Sequence, residues 1–514
     1  MQRKKSSWLT LFMMALMAIG FWYRIYGLNN NNSFWTDENH LAIFARAILE
    51  KGKPILANGY STGTYQWLQY WLSAISARIF GLNEFAIRFP SVIFGVLTIW
   101  AVYLLGKELF NKNIGLVAAA LITFLKIEIL WSRQARPYQA LQFFFVLGAW
   151  FIYKLAKEEK FNWRYFGGFL ASGILASLMH GLGLILFFNG FLYLLISRFS
   201  WFKKKWIVLG LAIFLIFSYI FRVQLFSVFS QIGKINNLFY YRVFLTHNYL
   251  LLCLLAFLGG IFLIWRKNYQ KLILFIIFLG VQIVIVSFFL GQPFTRYFYP
   301  VFPFIILLAS YGIVDIGNWI LEIGGRKAEI RNWKLDIRKI IQYPVSSIQY
   351  LMSSLLVFVV VFSLWKTDKL SLLPKKVYSL NADMQEIPEV DWKKIYGFVD
   401  QGLKTNPKVV LVANWMDTPV WFLGEGKLNY LIRKSELDVD AFSGAKYLNS
   451  LEKFILLTKE NPKGYIVLDS WDPTVPEGIR EYCQTNLKRE FEIDRLYPVQ
   501  PRYWTVWVYS WGLN

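Results

Sequence analysis

Cysteine and histidine are scarce throughout this 514-residue chain, and carboxylates are scarce in its first 366 residues. The two cysteines, Cys253 and Cys483, fall in an apolar run and in the carboxyl-terminal region, so no disulfide framework is expected. The three histidines, at 40, 180 and 247, have no metal-ligand spacing. Carboxylates are rare in residues 1–366, which hold 12 Asp and Glu against 36 Lys and Arg.

Apolar residues are abundant instead, at 56% of the chain, with 19% aromatic residues and a mean hydropathy of +0.40. They are gathered into runs long enough to cross a bilayer, which predicts a mainly α-helical polytopic membrane protein. Eleven such runs lie at about 8–28, 85–106, 113–131, 137–155, 165–180, 182–198, 206–222, 247–265, 271–290, 298–318 and 350–366. The fifth and sixth meet at His180-Gly181. The first follows Arg3-Lys4-Lys5 and lacks a small-residue cleavage site, which indicates an uncleaved first helix.

The net charge of +23 is concentrated in the loops between these runs and does not form a nucleic-acid-binding patch. With the amino terminus in the cytoplasm, the inner segments carry 22 basic residues and the short outer loops carry six. This positive-inside asymmetry supports eleven spans in the cell (inner or plasma) membrane, with the carboxyl terminus outside.

The sequence predicts two domains, a membrane domain over residues 1–366 and a soluble, extracytoplasmic α/β domain over residues 367–514. Within the first, the outer loop 29–84 contains two amphipathic stretches that are typical of helices lying on the membrane surface. In the tail, the pattern predicts strands at Val409–Val412, Tyr465–Leu468 and Trp504–Tyr509, and helices at Asp417–Leu423 and Ser450–Thr458.

The first outer loop holds the candidate chemistry, because Asp37 and Glu38 leave a membrane helix at the interface while most other carboxylates of residues 1–366 lie in or near inner loops. A carboxylate so placed suits a general base. Helix capping by Thr36 or Asp37 explains the same residues equally well. His40 follows one helical turn after Asp37. Side chains that could contact the substrate are His40, Tyr60 and Tyr65 in this loop, and Tyr138 and Tyr297 in later outer segments.

Arginines on the outer side are unexpected under the positive-inside bias, so their presence there calls for an explanation. They are Arg133 and Arg136, before Pro137-Tyr138, together with Arg242 and with Arg296, before Tyr297. A phosphate group supplies such a reason, since a guanidinium binds two phosphate oxygens at once. The alternative is contact with lipid headgroups.

In their order along the chain, these motifs resemble GT-C glycosyltransferases, and most of all the protein O-mannosyltransferase and aminoarabinose transferase group. The resemblance covers about residues 1–320. It rests on the Asp37-Glu38 pair, Phe85-Ala86-Ile87-Arg88-Phe89-Pro90, the stretch from Ser132 to Tyr138, and Arg296-Tyr297 with Pro300.

The resemblance implies an inverting transfer of a sugar from a polyprenyl-phosphate donor to a hydroxyl of a glycan, lipid or protein acceptor. Asp37 would act as the base, with Glu38 beside it, and Arg136, Arg242 and Arg296 would hold the donor phosphate. The family's Lys-Pro pair is replaced by Ser61–Gln66, which argues against lipid A aminoarabinose transfer and leaves Lys53 or Lys126 as substitutes. No cofactor is required, and one Asp-Glu pair offers too few ligands to demand a divalent metal, although some GT-C enzymes use one.

Two other functions remain open on the sequence. A lipid-linked glycan transporter or flippase would carry charged residues near the membrane midplane and show internal repeats, and neither pattern is present. A glycan polymerase or ligase would share the outer-face location of the polar groups. A receptor with the bundle as its anchor would not need eleven spans.

Overall fold

The structure is a computed structural model of the chain that describes residues 2–30, 32–63, 66–201, 233–330, 344–493 and 504–513. The chain divides into two compact units. The first contains residues 1–26, 91–133 and 137–375, and the second contains residues 27–90, 134–136 and 376–514. The predicted seventh span, 206–222, lies outside the described residues, and the predicted domain boundary at 366/367 stays a prediction.

The described part of the chain is mostly helical. Its helices are α1 (Gln2–Ile25), α2 (Thr36–Lys51), α3 (Trp67–Phe80), α4 (Glu84–Leu109), α5 (Lys112–Phe124), α6 (Lys126–Ser132), α7 (Tyr138–Lys157), α8 (Trp163–Met179), α9 (Leu184–Ser197), α10 (Leu238–Trp265), α11 (Tyr269–Phe288), α12 (Thr295–Phe298), α13 (Phe302–Ile330), α14 (Pro344–Lys366), α15 (Trp392–Thr405), α16 (Asp417–Leu423), α17 (Leu451–Glu460) and α18 (Ile479–Asn486).

Six segments of the described residues are long and apolar enough to cross a membrane. They are Trp8–Asn30, Glu84–Leu109, Tyr138–Lys157, Leu238–Trp265, Tyr269–Phe288 and Thr295–Ile316. Shorter apolar helices cover Lys112–Phe124, Gly181–Ser197 and Ser354–Lys366. A multi-pass membrane protein is therefore confirmed, while the count of eleven spans and the orientation of the termini stay predictions.

The predicted third span, 113–131, is not one helix. It is broken at Leu125, whose backbone is extended (φ −64°, ψ 128°) and which forms a bridge with Leu370. Lys126 N–H donates to Lys369 O at 2.9 Å, and Ser371 N–H donates to Phe124 O at 2.9 Å. The break occurs because this distant segment takes over backbone hydrogen bonds that a continuous helix would make internally.

Helices α10 and α13 make the most extensive helix pair of the first unit. A Cβ atom on Gly259 would stand 2.4 Å from Leu308 O, and one on Gly312 would stand 2.3 Å from Leu255 O. The two backbones therefore approach more closely than any larger residue would allow, as in other membrane helix pairs with small residues at the contact.

The tail of the second unit forms a six-stranded sheet in the order β3-β2-β1-β4-β6-β5. Its strands are β1 (Val410–Ala413), β2 (Tyr430–Ile432), β3 (Lys446–Leu448), β4 (Gly464–Asp469), β5 (Lys488–Ile493) and β6 (Val506–Trp511). The first four are parallel, and β6 runs antiparallel to both β4 and β5. The predicted strands and helices match within about two residues, since buried apolar runs bounded by turns are a direct signal.

In the same unit, the helix α16 that follows β1 is held against α2. Arg46 donates from Nη2 to Val420 O at 2.5 Å and from Nη1 to Trp421 O at 3.0 Å. The rings of Phe34 and Trp421 lie 5.4 Å apart between centroids. These contacts fix the position of α16 against the helix that begins with the Asp-Glu pair.

Candidate active site

Asp37 and Glu38 occupy the first turn of α2, where carboxylates are favoured by the helix dipole. The N-cap residue is Trp35, and no side chain caps the helix through a hydrogen bond. A side-chain cap by Thr36 or Asp37 is therefore wrong, whereas the other part of that alternative, acids in the first turn of the helix, is confirmed. The side chains of the two acids have different surroundings.

Asp37 is the accessible member of the pair, with 31% of its side chain exposed. Its Oδ2 lies 3.0 Å from Nη2 of Arg136, and Nη1 of the same guanidinium donates to the Asp37 carbonyl at 3.0 Å. The guanidinium also lies 5.6 Å from the Trp35 ring centroid. The guanidinium thus holds this carboxylate in one orientation while leaving part of it exposed.

Glu38 is fully buried and is bound on both oxygens. Arg88 donates from Nε to Oε1 at 2.8 Å and from Nη2 to Oε2 at 2.6 Å. Oε1 also accepts the Ala135 N–H at 2.7 Å. Arg88 completes the connection by donating to Asn32 O at 2.8 Å. Glu38 therefore ties α2 to α4 and to residues 134–136, the segment that carries Arg136.

His40 packs among aromatic rings on the next turn of α2. Its ring is stacked on Phe442 at 5.3 Å and meets Phe44 edge-on at 5.0 Å. The pKa of His40 is lowered to about 4, chiefly by burial and then by the positive charge of Arg136, against an opposing effect of Asp37. The imidazole is therefore neutral near pH 7. Tyr60 packs against Phe442 in the same cluster, at 5.6 Å, whereas Tyr65 lies outside the described residues.

Two of the predicted phosphate ligands have structural partners in the first unit. Arg133 is buried, and its Nη1 donates to Tyr26 O at 2.7 Å and to Arg24 O at 3.2 Å, at the end of α1. Lys126, at the start of α6, is ion-paired with Asp368. Each cation therefore has a role in holding the fold.

The other two arginines differ in exposure. Arg242 was predicted in a loop, but it lies within α10, where it is exposed and its guanidinium is 5.1 Å from the Phe239 ring centroid. Arg296 lies on the single turn α12 and is 7% exposed, with its guanidinium 3.8 Å from the Phe294 ring centroid.

Beside Arg296, the structure gathers three aromatic side chains that are far apart in sequence. Tyr138 lies 5.4 Å from the His180 ring and 6.2 Å from the Tyr297 ring, measured between centroids. His180 and Tyr297 are 6.4 Å apart. Tyr138 and Tyr297 were predicted as contacts of a ligand, and the structure brings them together with His180, which the sequence ranked below His40 as a site residue.

Two residues of the second unit were missed as parts of the site. Arg88 was recognised only as part of the motif Phe85-Ala86-Ile87-Arg88-Phe89-Pro90, without a role of its own. Asp417 was recognised only as the start of a helix, yet it is buried and lies within the electrostatic range of Asp37. Among the described residues, no three His, Cys, Asp or Glu side chains are grouped as metal ligands.

Comparison with known proteins finds similarity in sequence over part of the chain. Residues 67–221 match the family model of dolichyl-phosphate-mannose-protein mannosyltransferase. A protein of Aquifex aeolicus is 28% identical over 157 residues, which are 30% of this chain and 31% of that protein. The putative mannosyltransferase YkcB of Bacillus subtilis is 28% identical over 107 residues, 21% of this chain and 15% of that protein. The chain thus covers less than a third of the length of either relative.

The fold is matched over the whole chain by ArnT from Cupriavidus metallidurans. Its apo structure has a TM-score of 0.59 at 13% identity and covers 99% of this chain and 98% of its own. The same protein bound to undecaprenyl phosphate gives a TM-score of 0.57 at 13% identity, with 98% of each chain covered. The fold match and the family match together confirm the resemblance to the GT-C glycosyltransferases of the protein O-mannosyltransferase and aminoarabinose transferase group.

Proposed function

We propose that this protein is a membrane glycosyltransferase that transfers a sugar from a polyprenyl-phosphate donor to an acceptor hydroxyl, with inversion and with Asp37 as the base. The observation that carries the proposal is the contrast between the paired acids. Asp37 is partly exposed and oriented by Arg136, whereas both oxygens of Glu38 are occupied by Arg88 and Ala135.

In the proposed reaction, the acceptor oxygen attacks the anomeric carbon as the bond from that carbon to the phosphate oxygen breaks. Asp37 takes the proton of the acceptor hydroxyl, and the polyprenyl phosphate leaves with the bonding electron pair. A single displacement inverts the configuration at the anomeric carbon. Arg136 orients the base in this scheme, because its guanidinium is bound to both the side chain and the carbonyl of Asp37.

Negative charge develops on the departing phosphate, so positive side chains that bind it stabilise the transition state. Arg242 and Arg296 are the proposed donor ligands, since Arg133 holds the end of α1 and Lys126 is paired with Asp368. Tyr138 and Tyr297 are proposed contacts of the sugar. The lipid class of the donor is supported by the dolichyl-phosphate-mannose family model and by ArnT bound to undecaprenyl phosphate.

The outer face of the membrane is the proposed location of the reaction, supported by the asymmetry of basic residues between the two sets of loops. The tail, residues 367–514, is proposed to lie on that side and to shape access of the acceptor. The proposed scheme assigns its roles to Asp37 and Arg136, which are paired with each other.

The test is release of polyprenyl phosphate by the purified full-length protein from a panel of polyprenyl-phosphate sugars. Asp37→Asn keeps the shape of the side chain and removes the base, so we expect turnover to fall by at least about 100-fold. Glu50→Gln is the matched control, because Glu50 is an exposed acid at the other end of the same helix.

Three outcomes decide the proposal. Loss of turnover in Asp37→Asn together with retention in Glu50→Gln supports it. Unchanged turnover in Asp37→Asn removes this residue as the base. Absence of turnover with every lipid-linked sugar, combined with movement of such lipids across vesicles that contain the protein, assigns the chain to transport instead.

A further inference from the structure

An apolar groove lies on the first unit between α5 and α14. Its volume of 320 Å³ falls within the range of roughly 300–1,000 Å³ that is usual for ligand pockets. Val117, Ala120 and Phe124 of α5 line one side, and Val357 and Val361 of α14 line another. Every described residue that lines the groove is apolar. In a bilayer such a groove accepts lipid chains, but it does not by itself select one lipid, because lipid chains are alike in polarity.

The segment that follows α14 forms one end of this groove. The helix ends in a turn at Asp368, which has a left-handed backbone (φ 58°), a conformation that Asp adopts more readily than most residues. Beyond the turn, Leu370 and Leu372 line the groove. Backbone hydrogen bonds to the residues on either side of Leu125 hold the segment there. The break between α5 and α6 therefore lies at the same end of the groove.

Two lysines and one aspartate, which we call the lysine rim, stand at this end. Lys126, the first residue of α6, is ion-paired with Oδ1 of Asp368, and Nζ of Lys375 lies 3.8 Å from the same oxygen. The side chain of Lys126 is 9% exposed, whereas that of Lys375 is 53% exposed. Two ammonium groups share one carboxylate, so the rim has a net charge of +1 beside an apolar groove.

Helix dipoles do not account for these lysines. Cations are favoured at the carboxyl end of a helix, which explains Lys366 at the end of α14. Lys375 lies nine residues beyond that end, and Lys126 stands at the amino end of α6, where the dipole disfavours a cation. A basic pocket between membrane helices is instead typical of sites that bind anionic lipid headgroups.

The rim is separated by α6 from the proposed donor ligands. Lys126 and Glu128 are two residues apart in this helix, so their side chains point about 200° apart. Glu128 Oε2 accepts the O–H of Tyr299 at 2.8 Å, on the side of α12 and Arg296, whereas Lys126 is paired with Asp368. The groove and its rim therefore face away from that cluster.

We propose that the groove and the lysine rim bind an anionic phospholipid, with its phosphate diester on Lys126 and Lys375 and an acyl chain along the groove. The single negative charge of a phosphate diester matches the net charge of the rim. The bound chain packs between α5 and α14, whose facing residues are apolar. This site goes beyond the proposed function and has no part in the proposed reaction.

The test is binding of two phospholipids to the full-length protein in detergent, measured from the masses of the intact protein–lipid complexes. Phosphatidylglycerol is anionic, and phosphatidylcholine has no net charge. The wild type is expected to bind phosphatidylglycerol more tightly. Lys375→Gln is expected to weaken that binding by about fivefold, the effect of one lysine near a membrane surface, and to leave phosphatidylcholine unaffected. Lys404→Gln is the matched control, because Lys404 is also an exposed lysine paired with an acid, Asp400 of the tail.

A second pair of variants tests the groove. Ala120→Phe places a ring in it and is expected to weaken the binding of both lipids. Ala171→Phe is the control, since Ala171 is exposed on α8 and does not line this groove. Melting temperatures without added lipid show whether each variant is folded. If Ala120→Phe does not fold, the comparison of Lys375→Gln with Lys404→Gln still decides the proposal.

Three results would overturn the proposal. Equal affinity of the wild type for the two lipids means that the headgroup is not recognised. Equal affinity of Lys375→Gln and the wild type for phosphatidylglycerol removes the rim as its ligand. Displacement of phosphatidylglycerol by a polyprenyl-phosphate sugar, with loss of sugar-lipid binding in Lys375→Gln, assigns the groove to the donor. Because binding is measured without turnover, this inference and the proposed function can fail separately.

Discussion

Replacing Glu38 and Arg88 by methionine, singly and together, tests whether this pair builds the site without taking part in chemistry. Both side chains have no exposed surface, and the guanidinium makes two hydrogen bonds to the carboxylate, of 2.8 and 2.6 Å. Removing one partner leaves the other charge buried and unpaired, which costs about 3–5 kcal/mol. Each single variant is therefore expected to lose that much unfolding free energy.

The double variant is expected to behave differently from the sum of its parts. With both charges gone, two apolar side chains of similar volume replace the pair, and such replacements are often close to neutral. The Ala135 N–H still loses its acceptor on Glu38, which costs about 1–3 kcal/mol. The double variant should therefore be no less stable than either single variant, whereas simple addition predicts a loss of about 6–10 kcal/mol.

The assay is chemical unfolding of the detergent-solubilised full-length protein at fixed pH, followed by the fluorescence of its 22 tryptophans. Asp37→Asn is measured beside these variants. Asp37 is 31% exposed, and Asn keeps an oxygen that can accept from the buried Arg136, so a smaller loss than in the Glu38 and Arg88 variants is expected. Additive losses in the Glu38 and Arg88 variants, or a loss in Asp37→Asn as large as theirs, would refute the distinction between the structural acid and the proposed base.

Two further predictions concern packing and pH. Gly312→Leu is expected to cost about 1–3 kcal/mol and to separate α10 from α13, because its Cβ would stand 2.3 Å from Leu255 O. Gly280→Leu on α11 is the control and should be tolerated, since a Cβ at that position has no atom within 4 Å. Equal melting temperatures of the two variants would contradict this prediction. The lowered pKa of His40 means that the folded state binds fewer protons there than the unfolded state between about pH 4 and pH 6.5, so stability falls on acidification through that window. His40→Phe retains the ring stacked on Phe442 and cannot take up a proton, so it should reduce the fall; an unchanged slope of stability against pH would refute the assignment.

Much of the local structure was predictable because it depends on neighbouring residues. The apolar runs gave the helices, including the junction of α8 and α9 at His180-Gly181, and short buried runs gave β1 and β4. The break at Leu125 was not predictable, since its cause is a bridge to Leu370 that lies 245 residues further along the chain. The pairing order of the strands likewise depends on contacts between distant segments.

The candidate site was likewise predictable from the sequence only in part. The sequence by itself determined that an acidic pair begins α2 on the side of the membrane proposed to be outer, because carboxylates are so scarce in residues 1–366 that few others remain there. Only the family resemblance pointed to Asp37 as the base, since Asp37 and Glu38 are adjacent and chemically alike. Tertiary structure decided their surroundings: Arg88 of α4 pairs with the buried Glu38, and Arg136 of another segment pairs with the partly exposed Asp37. The role of a carboxylate follows from its burial and its charged neighbours, and both are properties of the folded chain.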